Sequence, residues 1–345
     1  MDKKVMNRIS EILEPTKEQK ERMFNSILEK HRNENTKKRG FTPMKRLKPA
    51  LVAAVIAVCL ITTTAFAASY LGLDIKLLNF LNPSSDEQAE YLANGAYIVD
   101  KQVKNKNGIL DIKQVIGDSN VTLILMDFTA PDGIVLNKEH YSFERMGIDV
   151  EEYPGFYGYG IISLKDENIN DNKISMVMRV KTNESLMGRQ VHLKFANLKG
   201  ADTIPGEFTT AVSGEWQPSF KLDFKNYSTD YQVNKAIKMF NYDATIKTIS
   251  ISPISVTLKL ESSFTKTINK VSGNWEMLGP NEYSDIYPIT INYKDGTSET
   301  NDILNGMHHL DHLSGEMLFI KTFESVINDK EIKSISFFGT EVEIN

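Results

Sequence analysis

The chain has a single cysteine, Cys59, among its 345 residues. One cysteine excludes an intramolecular disulfide and a zinc site built from paired thiolates. Histidine is scarce, with 6 residues, and the sequence has no Gly-rich phosphate loop, no Gly-x-Ser-x-Gly elbow and no His-Glu-x-x-His motif. No residue is therefore nominated as catalytic, cofactor-binding or metal-binding, and we expect a protein that is not an enzyme.

Negative charge is outnumbered by positive charge in the N-terminal part of the chain. Residues 1–48 carry 14 Lys and Arg against 7 Asp and Glu, a net charge of +7, whereas the whole chain has −5. A short basic segment that directly precedes an apolar run is typical of the cytoplasmic flank of a membrane span rather than of a nucleic-acid-binding surface. We expect no direct binding to nucleic acid.

Charged residues are also absent from Pro49 to Leu73. A helix over the 22 positions from Ala50 to Leu71 reaches about 33 Å, enough to cross a hydrocarbon core of about 30 Å. Residues 49–71 are therefore predicted to form one transmembrane helix, with a cytoplasmic N-terminus and an extracellular C-terminal region. A cleaved signal peptide is the alternative, because Ala65-Phe66-Ala67 has the small-x-small form of a processing site.

Residues 1–34 show two apolar patterns at helical spacing, separated by Pro15, and predict two short amphipathic helices. Such helices need a partner for their apolar faces: the membrane surface, a second copy of the chain, or a cytoplasmic protein. Interspersed glutamates favour a protein over lipid. The predicted partner-binding residues are Ile9, Ile12, Leu13, Met23, Phe24, Ile27 and Leu28. Residues 35–48 are predicted to be a basic linker.

For residues 72–345 the sequence predicts two short helices followed by strands. The helices are Asp74–Leu81 and a segment opened by Ser85 and closed by Asn94-Gly95. Alternating apolar runs bounded by Asn, Asp and Gly predict the strands. They are Tyr97–Val103, Ile109–Ile116, Val121–Thr129, Gly160–Leu164, Ile174–Lys181, Val191–Leu198, Trp216–Phe224, Ile237–Phe240, Thr245–Ile251, Ser255–Leu260, Tyr287–Tyr293, Met317–Thr322, Ile332–Phe338 and Glu341–Ile344.

This order of strands predicts a mainly β fold outside the membrane. We expect two tandem antiparallel β-sandwich domains of immunoglobulin-like type, with boundaries 72–228 and 229–345. Together with one transmembrane helix and a short helical cytoplasmic segment, they make up the predicted fold class.

Two groups of residues contain side chains of the types that bind metals or ligands. His308, His309, Asp311 and His312 are the densest set of metal-ligand types, but Met307 to Leu313 is predicted to be a loop, where helical spacing loses its meaning. The aromatic residues are expected to be core more often than ligand-binding. They are Trp216, Trp275, Tyr153, Phe156, Tyr157 and Tyr159.

The layout resembles that of membrane-bound anti-sigma factors of Gram-positive bacteria: an inner helical stub, a basic flank, a span ending Thr64-Ala65-Phe66-Ala67, and outer β domains. The first outer part is similar to domain of unknown function 4179, and the second to domain of unknown function 5643. The residues that carry the similarity are Gly108-Ile109-Leu110, Asp118, Val121–Phe128, Asn197-Leu198-Lys199-Gly200 and Trp216, then Ile249–Leu260 and Ile332–Ile344.

The resemblance implies that the cytoplasmic helices hold an extracytoplasmic-function sigma factor and that an outside signal releases it, commonly through staged proteolysis. Residues 1–48 lack the paired cysteines of the zinc-binding type, so any clamp here is metal-free. The alternative function is a membrane-anchored cell-surface binding or adhesion module with no regulatory role. Under either hypothesis the outer domains meet an envelope component or extracellular ligand whose identity is unknown.

Overall fold

The computed structural model describes residues 72–155, 157–165, 168–272, 287–302, 307–311, 313–323 and 326–344. The predicted cytoplasmic helices, linker and transmembrane helix, residues 1–71, lie outside these ranges. Among the described residues, no helix is long and apolar enough to cross a membrane.

Two helices open the described region, as predicted. Helix α1, Ile75–Leu81, begins after Asp74, whose carboxylate accepts a hydrogen bond from the backbone N–H of Lys76 at 2.8 Å. Helix α2, Asp86–Gly95, begins after Ser85, whose hydroxyl accepts from the N–H of Gln88. These side chains satisfy backbone donors that have no partner within the helix. A third helix, α3, spans Thr265–Ser272.

The rest of the described chain is mainly β. The strands are β1 Tyr97–Asn105, β2 Gly108–Gly117, β3 Val121–Thr129, β4 His140–Val150, β5 Tyr157–Ser163, β6 Lys173–Thr182, β7 Gln190–Ala201, β8 Thr209–Trp216, β9 Ser219–Lys221, β10 Thr229–Met239, β11 Tyr242–Ile251, β12 Ser255–Glu261, β13 Pro288–Tyr293, β14 Ser298–Asp302, β15 Met307–Leu310, β16 Glu316–Thr322, β17 Ile332–Phe337 and β18 Thr340–Glu343.

The strands form four antiparallel sheets. Sheet 1 has the order β1-β2-β3-β6-β5, and sheet 2 has the order β4-β7-β8 with β9 also paired to β7. Sheet 3 has the order β10-β11-β12-β16-β15, and sheet 4 has the order β14-β13-β17-β18. Strands β1–β9 are thus divided between the first two sheets and β10–β18 between the last two.

Each pair of sheets shares an apolar core. The core of sheets 1 and 2 includes Phe128, Phe195 and Trp216, and the indole of Trp216 packs edge-on against Phe128 with ring centroids 4.9 Å apart. The core of sheets 3 and 4 includes Tyr287 and Phe319. Trp216 is completely buried, which confirms its expected place in the core.

Strand β3 is buried on both faces. Ile124 and Met126 point into the core of sheets 1 and 2, whereas Leu123 and Leu125 belong to a third apolar cluster on the opposite face of sheet 1. Double burial explains why the sequence of this strand is a continuous apolar run rather than an alternating one. The third cluster also contains Leu77 of α1 and residues from strands of both halves of the described chain.

Several predictions of secondary structure were wrong. The stretch from Met307 begins with strand β15, paired to β16, so it is not a loop throughout. The predicted strand Trp216–Phe224 has wrong bounds, because only Ser219–Lys221 forms a strand there, β9. Trp216 is instead the last residue of β8, Thr209–Trp216, which was not predicted. Strands β4 and β14 and helix α3 were not predicted.

Candidate functional site

The first described residues are held by a buried glutamine. The side chain of Gln114, in β2, is 2 % exposed. Its Oε1 accepts a hydrogen bond from the backbone N–H of Asp74 at 2.7 Å, and its Nε2 donates to the carbonyl of Gly72 at 2.6 Å. The amide of this one side chain thus accepts from a backbone N–H and donates to a backbone carbonyl of the segment that leads into α1. We call residues 72–81 the stem.

Helix α1 of the stem is also fixed from its exposed side. The ammonium of Lys76 lies 3.0 Å from both carboxylate oxygens of Asp127 in β3, and the hydroxyl of Ser175 donates to the same carboxylate at 2.7 Å. The side chain of Lys76 is 45 % exposed, so this pair contributes orientation more than stability.

The apolar face of the stem accounts for most of its attachment. Leu73, Leu77 and Leu81 are at most 4 % exposed, and burial of each stabilises the docked stem by about 1.5–3 kcal/mol relative to exposure. The carbonyl of Leu81 accepts a hydrogen bond from the N–H of Val326 at 2.8 Å. The stem therefore contacts both the sheet 1 face and the connection that follows β16 of sheet 3.

A second buried polar group joins the turn between β2 and β3 to the turn between β11 and β12. Asp118 is 3 % exposed. Its Oδ1 accepts from the N–H groups of Asn120 at 2.8 Å and Val121 at 2.6 Å. Its Oδ2 accepts from the hydroxyls of Ser252 at 2.5 Å and Ser255 at 2.6 Å. We call these five residues the Asp118 network.

The environment of Asp118 is dominated by burial. Burial raises the pKa of the Asp118 carboxyl above its usual range, while the hydrogen bonds from Ser252, Ser255, Asn120 and Val121 act in the opposite direction. A carboxyl in this position is suited to holding two turns together, because its two oxygens accept from two different parts of the chain.

The connection between β9 and β10 is fixed beside the Asp118 network. The N–H of Lys225 donates to the carbonyl of Gly95 at 3.0 Å, and the hydroxyl of Ser228 accepts from the N–H of Ser119 at 3.0 Å. The rings of Tyr91 and Tyr227 are in contact, with centroids 4.6 Å apart. Helix α2 and this connection consequently contact each other beside the network.

Three cations meet near the end of the stem. Burial, followed by repulsion from Arg179 and Lys321, lowers the pKa of Lys181 to about 8. Lys321 is 5 % exposed, and the guanidinium of Arg179 donates to the hydroxyl of Thr322 at 3.1 Å. These contacts connect β6 to β16 across the third apolar cluster.

The outer face of sheet 2 carries an open polar concavity of about 320 Å³. His192 is its centre: Nδ1 lies 2.8 Å from the hydroxyl of Ser219, and Nε2 lies 3.0 Å from a carboxylate oxygen of Glu151. The glutamate side chain is 58 % exposed. Lys194 and Gln217 line the same concavity, so it offers donors and acceptors to a polar ligand.

The seven predicted partner-binding residues, Ile9, Ile12, Leu13, Met23, Phe24, Ile27 and Leu28, lie outside the described residues. In the described part of the chain, no group of three or more His, Cys, Asp or Glu residues is arranged to hold a metal ion. The hydroxyl of Tyr159 donates to the carbonyl of Met146 at 2.8 Å. Trp275 and Phe156 are not among the described residues.

Sequence reasoning named Asp118 only as a turn residue and did not single out Gln114. Gln114 follows Leu110 and Ile112 at alternate positions, and a polar residue at an apolar position of an alternating strand is the signal that points to a buried amide. Nothing local in the sequence indicates that Asp118 meets Ser252 and Ser255.

Comparison with known proteins gives little further information. No protein-family model matches the chain, and no curated protein is similar to it. A solved structure, described as the crystal structure of the conserved domain protein from Bacillus anthracis, has 12 % sequence identity and a TM-score of 0.48. The similarity covers 70 % of this chain and 75 % of that chain.

Proposed function

We propose that the protein is a single-pass membrane regulator, an anti-sigma factor that holds an extracytoplasmic-function sigma factor on the cytoplasmic side. Its C-terminal region lies outside the cell and senses the envelope. The observation that carries the proposal is the fixed stem, which directly follows the predicted span: Gln114 bonds to its backbone, and its own three leucines are buried.

A fixed stem is what signal transfer through one helix requires. If residues 72–81 were a flexible linker, a change in the β region would be lost before it reached the membrane. Because the stem packs against sheet 1 and also bonds to Val326, a change in the arrangement of the sheets alters the contacts of the stem directly.

The proposal includes a finer description of the fold. We assign residues 72–228 and 229–345 to two tandem immunoglobulin-like β-sandwiches. This assignment is supported by the shared apolar core within each pair of sheets and by strand pairing that stays within β1–β9 and within β10–β18.

The proposed partners follow from the sequence. A sigma factor binds the apolar stripes of residues 1–34, the membrane surrounds residues 49–71, and an unknown envelope component contacts the outer region. We propose no direct nucleic-acid binding, no cofactor and no catalytic role.

The test is a crosslinking pull-down from cells with the full chain as bait, read by mass spectrometry. We expect a sigma factor with the intact chain and none when residues 2–34 are deleted. Phe24→Asp, which places a charge on the apolar stripe, is expected to abolish recovery and raise transcription of the target genes. The matched control is Asn25→Asp, which adds the same charge one residue away, off the stripe. Recovery that is equal for both variants would exclude a clamp built on this stripe.

The alternative is a membrane-anchored binding or adhesion module, favoured by the polar concavity around His192. It predicts that deletion of residues 2–34 leaves both membrane insertion and cellular phenotype intact. Loss of the phenotype together with normal insertion would favour the regulator.

A further inference from the structure

The open concavity on the outer face of sheet 2 is lined by Asp149, His192, Leu193, Lys194, Gln217 and Ser219; we call it the His192 concavity. Its polar side chains form two rows across the sheet. His192 in β7 pairs with Asp149 in β4 and with Ser219 in β9, and these three residues are the first row. Lys194 and Gln217, each two residues from the first row along the chain, are the second row. Residues two apart on a strand are separated by about 7 Å, which is the distance between the rows.

Three of these side chains have no polar partner among the residues that the structure describes. Asp149, Lys194 and Gln217 form no side-chain hydrogen bond and no ion pair there. Opposite charges elsewhere in sheet 2 are paired, as the ammonium of Lys199 is with the carboxylate of Glu144 at 3.2 Å. Asp149 and Lys194 are both exposed. They therefore present an unpaired negative and an unpaired positive charge to solvent within one concavity.

The backbone of Leu193 contributes a hydrogen-bond acceptor between the rows. The N–H of Leu193 donates to the carbonyl of Pro218 at 2.9 Å. In an antiparallel pair of this kind the opposite residue returns a hydrogen bond from its own N–H, but proline has no N–H. The side chain of Leu193 belongs to the core of sheets 1 and 2, so the part of this residue that borders the concavity is its backbone. Its carbonyl is consequently free to accept a hydrogen bond from a ligand.

The charges of the concavity are separated between the two rows. The imidazole of His192 lies 2.8 Å from the hydroxyl of Ser219 and 3.0 Å from the carboxylate of Glu151. Both ring nitrogens are thus paired, and the ring forms a fixed wall of the first row. Asp149 and the neighbouring Glu151 make the side of the first row acidic, whereas Lys194 makes the second row basic. A ligand with a cationic group at one end and an anionic group at the other matches this separation.

The size of the concavity limits the ligand. Its volume of about 320 Å³ is at the lower end of the range of about 300–1,000 Å³ for small-molecule sites. Two amino-acid residues extend a chain by at most about 7 Å, which equals the distance between the rows. A dipeptide therefore spans both rows, whereas a single amino acid does not.

The concavity is also open on the side of β4. Gly147 pairs with Lys194 and has no side chain that could close the second row. Its backbone is not in the left-handed region that would require glycine. Glycine in the interior of a strand is often found where a ligand approaches closely, and Gly147 leaves room for such an approach.

From these observations we infer that the His192 concavity binds a free dipeptide in its zwitterionic form. The ammonium of the dipeptide bonds to Asp149, and its carboxylate bonds to Lys194 and Gln217. The peptide N–H between them donates to the carbonyl of Leu193. The bonds to Asp149 and Lys194 contribute most, because charge-assisted hydrogen bonds are about twice as strong as neutral ones. The inference gives a ligand chemistry to the outer region, and it rests on the proposed function only for the position of this region outside the cell.

The test titrates diglycine into the full chain in detergent micelles near neutral pH and follows the ring signals of ¹³C-labelled histidine by NMR. The signal of His192 is assigned from its loss in His192→Gln. Lys194→Met and Asp149→Asn each remove one charge of the site. The matched controls Lys199→Met and Asp202→Asn remove the same charges from ion pairs outside the concavity. Two control ligands are N-acetyl-diglycine, which lacks the ammonium, and diglycinamide, which lacks the carboxylate.

We expect diglycine to shift the His192 signal saturably and to leave the signals of the other histidines in place. The dissociation constant should rise about tenfold or more in Lys194→Met and Asp149→Asn, and by about twofold or less in the two control variants. Each blocked dipeptide should likewise bind about tenfold or more weakly than diglycine.

A His192 signal that does not move overturns the dipeptide site. Equal affinity for diglycine and its blocked forms, or equal losses in the site and control variants, overturns it as well. The crosslinking pull-down tests the sigma-factor clamp in a separate experiment, so the failure of one proposal is distinguishable from the failure of the other.

Discussion

Replacing Asp118 by alanine tests whether the Asp118 network holds the two turns together. The substitution removes the acceptor of four hydrogen bonds, two from backbone N–H groups and two from Ser252 and Ser255. Each buried N–H left without a partner costs about 1–3 kcal/mol, whereas the serine hydroxyls can turn to other acceptors. Because removal of a buried carboxyl offsets part of this cost, we expect a net loss of about 3 kcal/mol.

The assay is thermal unfolding of the full chain in detergent micelles, followed by tryptophan fluorescence. For a β region of this size, a loss of about 3 kcal/mol lowers Tm by about 6–12 °C. Asp118→Asn is the matched control, since its Oδ1 still accepts from Asn120 and Val121 and its amide can donate to the serines. We expect Asn to lose less than half of what Ala loses.

The pH dependence separates charge from hydrogen bonding. Because burial raises the pKa of Asp118 in the folded protein, the stabilising contribution of its protonated form is full below the unfolded pKa of about 3.9 and is lost as pH rises through the folded pKa. The stability of the native chain relative to Asp118→Asn should therefore fall with rising pH. An unchanged Tm for Asp118→Ala, or equal losses for Ala and Asn, would refute this account of the network.

Other substitutions probe the stem, the basic cluster and the core. Gln114→Leu should speed amide hydrogen exchange in residues 72–81 and lower stability by about 2 kcal/mol; unchanged exchange there would show that Gln114 does not hold the stem. Lys76→Ala should lower stability by less than about 1 kcal/mol, since the pair is exposed, and a larger loss in thermal unfolding would contradict this. Because the pKa of Lys181 is lowered to about 8, its destabilising effect is full below pH 8 and is relieved as pH rises toward 10. Lys181→Met should therefore increase the free energy of unfolding by on the order of 1 kcal/mol at pH 7 after solvent screening, and should reduce the increase in stability between pH 8 and 10. Trp216→Ala should cost about 3–5 kcal/mol, and a small change in denaturant midpoint would contradict its place in the core.

Much of the strand order could be predicted because local signals agree. The turn Gly117-Asp118-Ser119-Asn120 defines the start of β3, and its predicted range Val121–Thr129 is confirmed without change. The capping residue Ser85 likewise located the start of α2. Where turn chemistry and apolar pattern coincide, the sequence is sufficient to assign an element.

The missed elements lack this agreement. Strand β4 contains Glu144-Arg145 and Gly147, which interrupt its alternation, so it does not resemble a strand locally. Of strand β10 only the end was predicted, from Ile237; the part before Ile237 is mostly exposed at the edge of sheet 3, and edge strands are often polar and charged. Both form strands because they pair with neighbouring strands, and such long-range pairing is not visible in the local alternation of apolar and polar residues.

The candidate site depends on contacts at still longer range. Asp118 and Ser252 are 134 residues apart in sequence, and Gln114 meets a carbonyl 42 residues earlier. The sequence alone does not distinguish either side chain from other polar residues, because its hydrogen-bond partner lies far away in the chain. Composition and spacing therefore predict many of the strands, but not the contacts that join the stem to the sheets.

The stem and the Asp118 network are energetically linked through the third apolar cluster. The stem leucines lie in the same cluster as Ile254, in the turn that Ser252 and Ser255 attach to Asp118. Any movement that separates this turn from β2–β3 also exposes apolar surface beside the stem, at about 25 cal/mol per Å². A ligand that changes the arrangement of the sheets therefore changes the stability of the docked stem as well, and the proposed signalling role requires such a linkage.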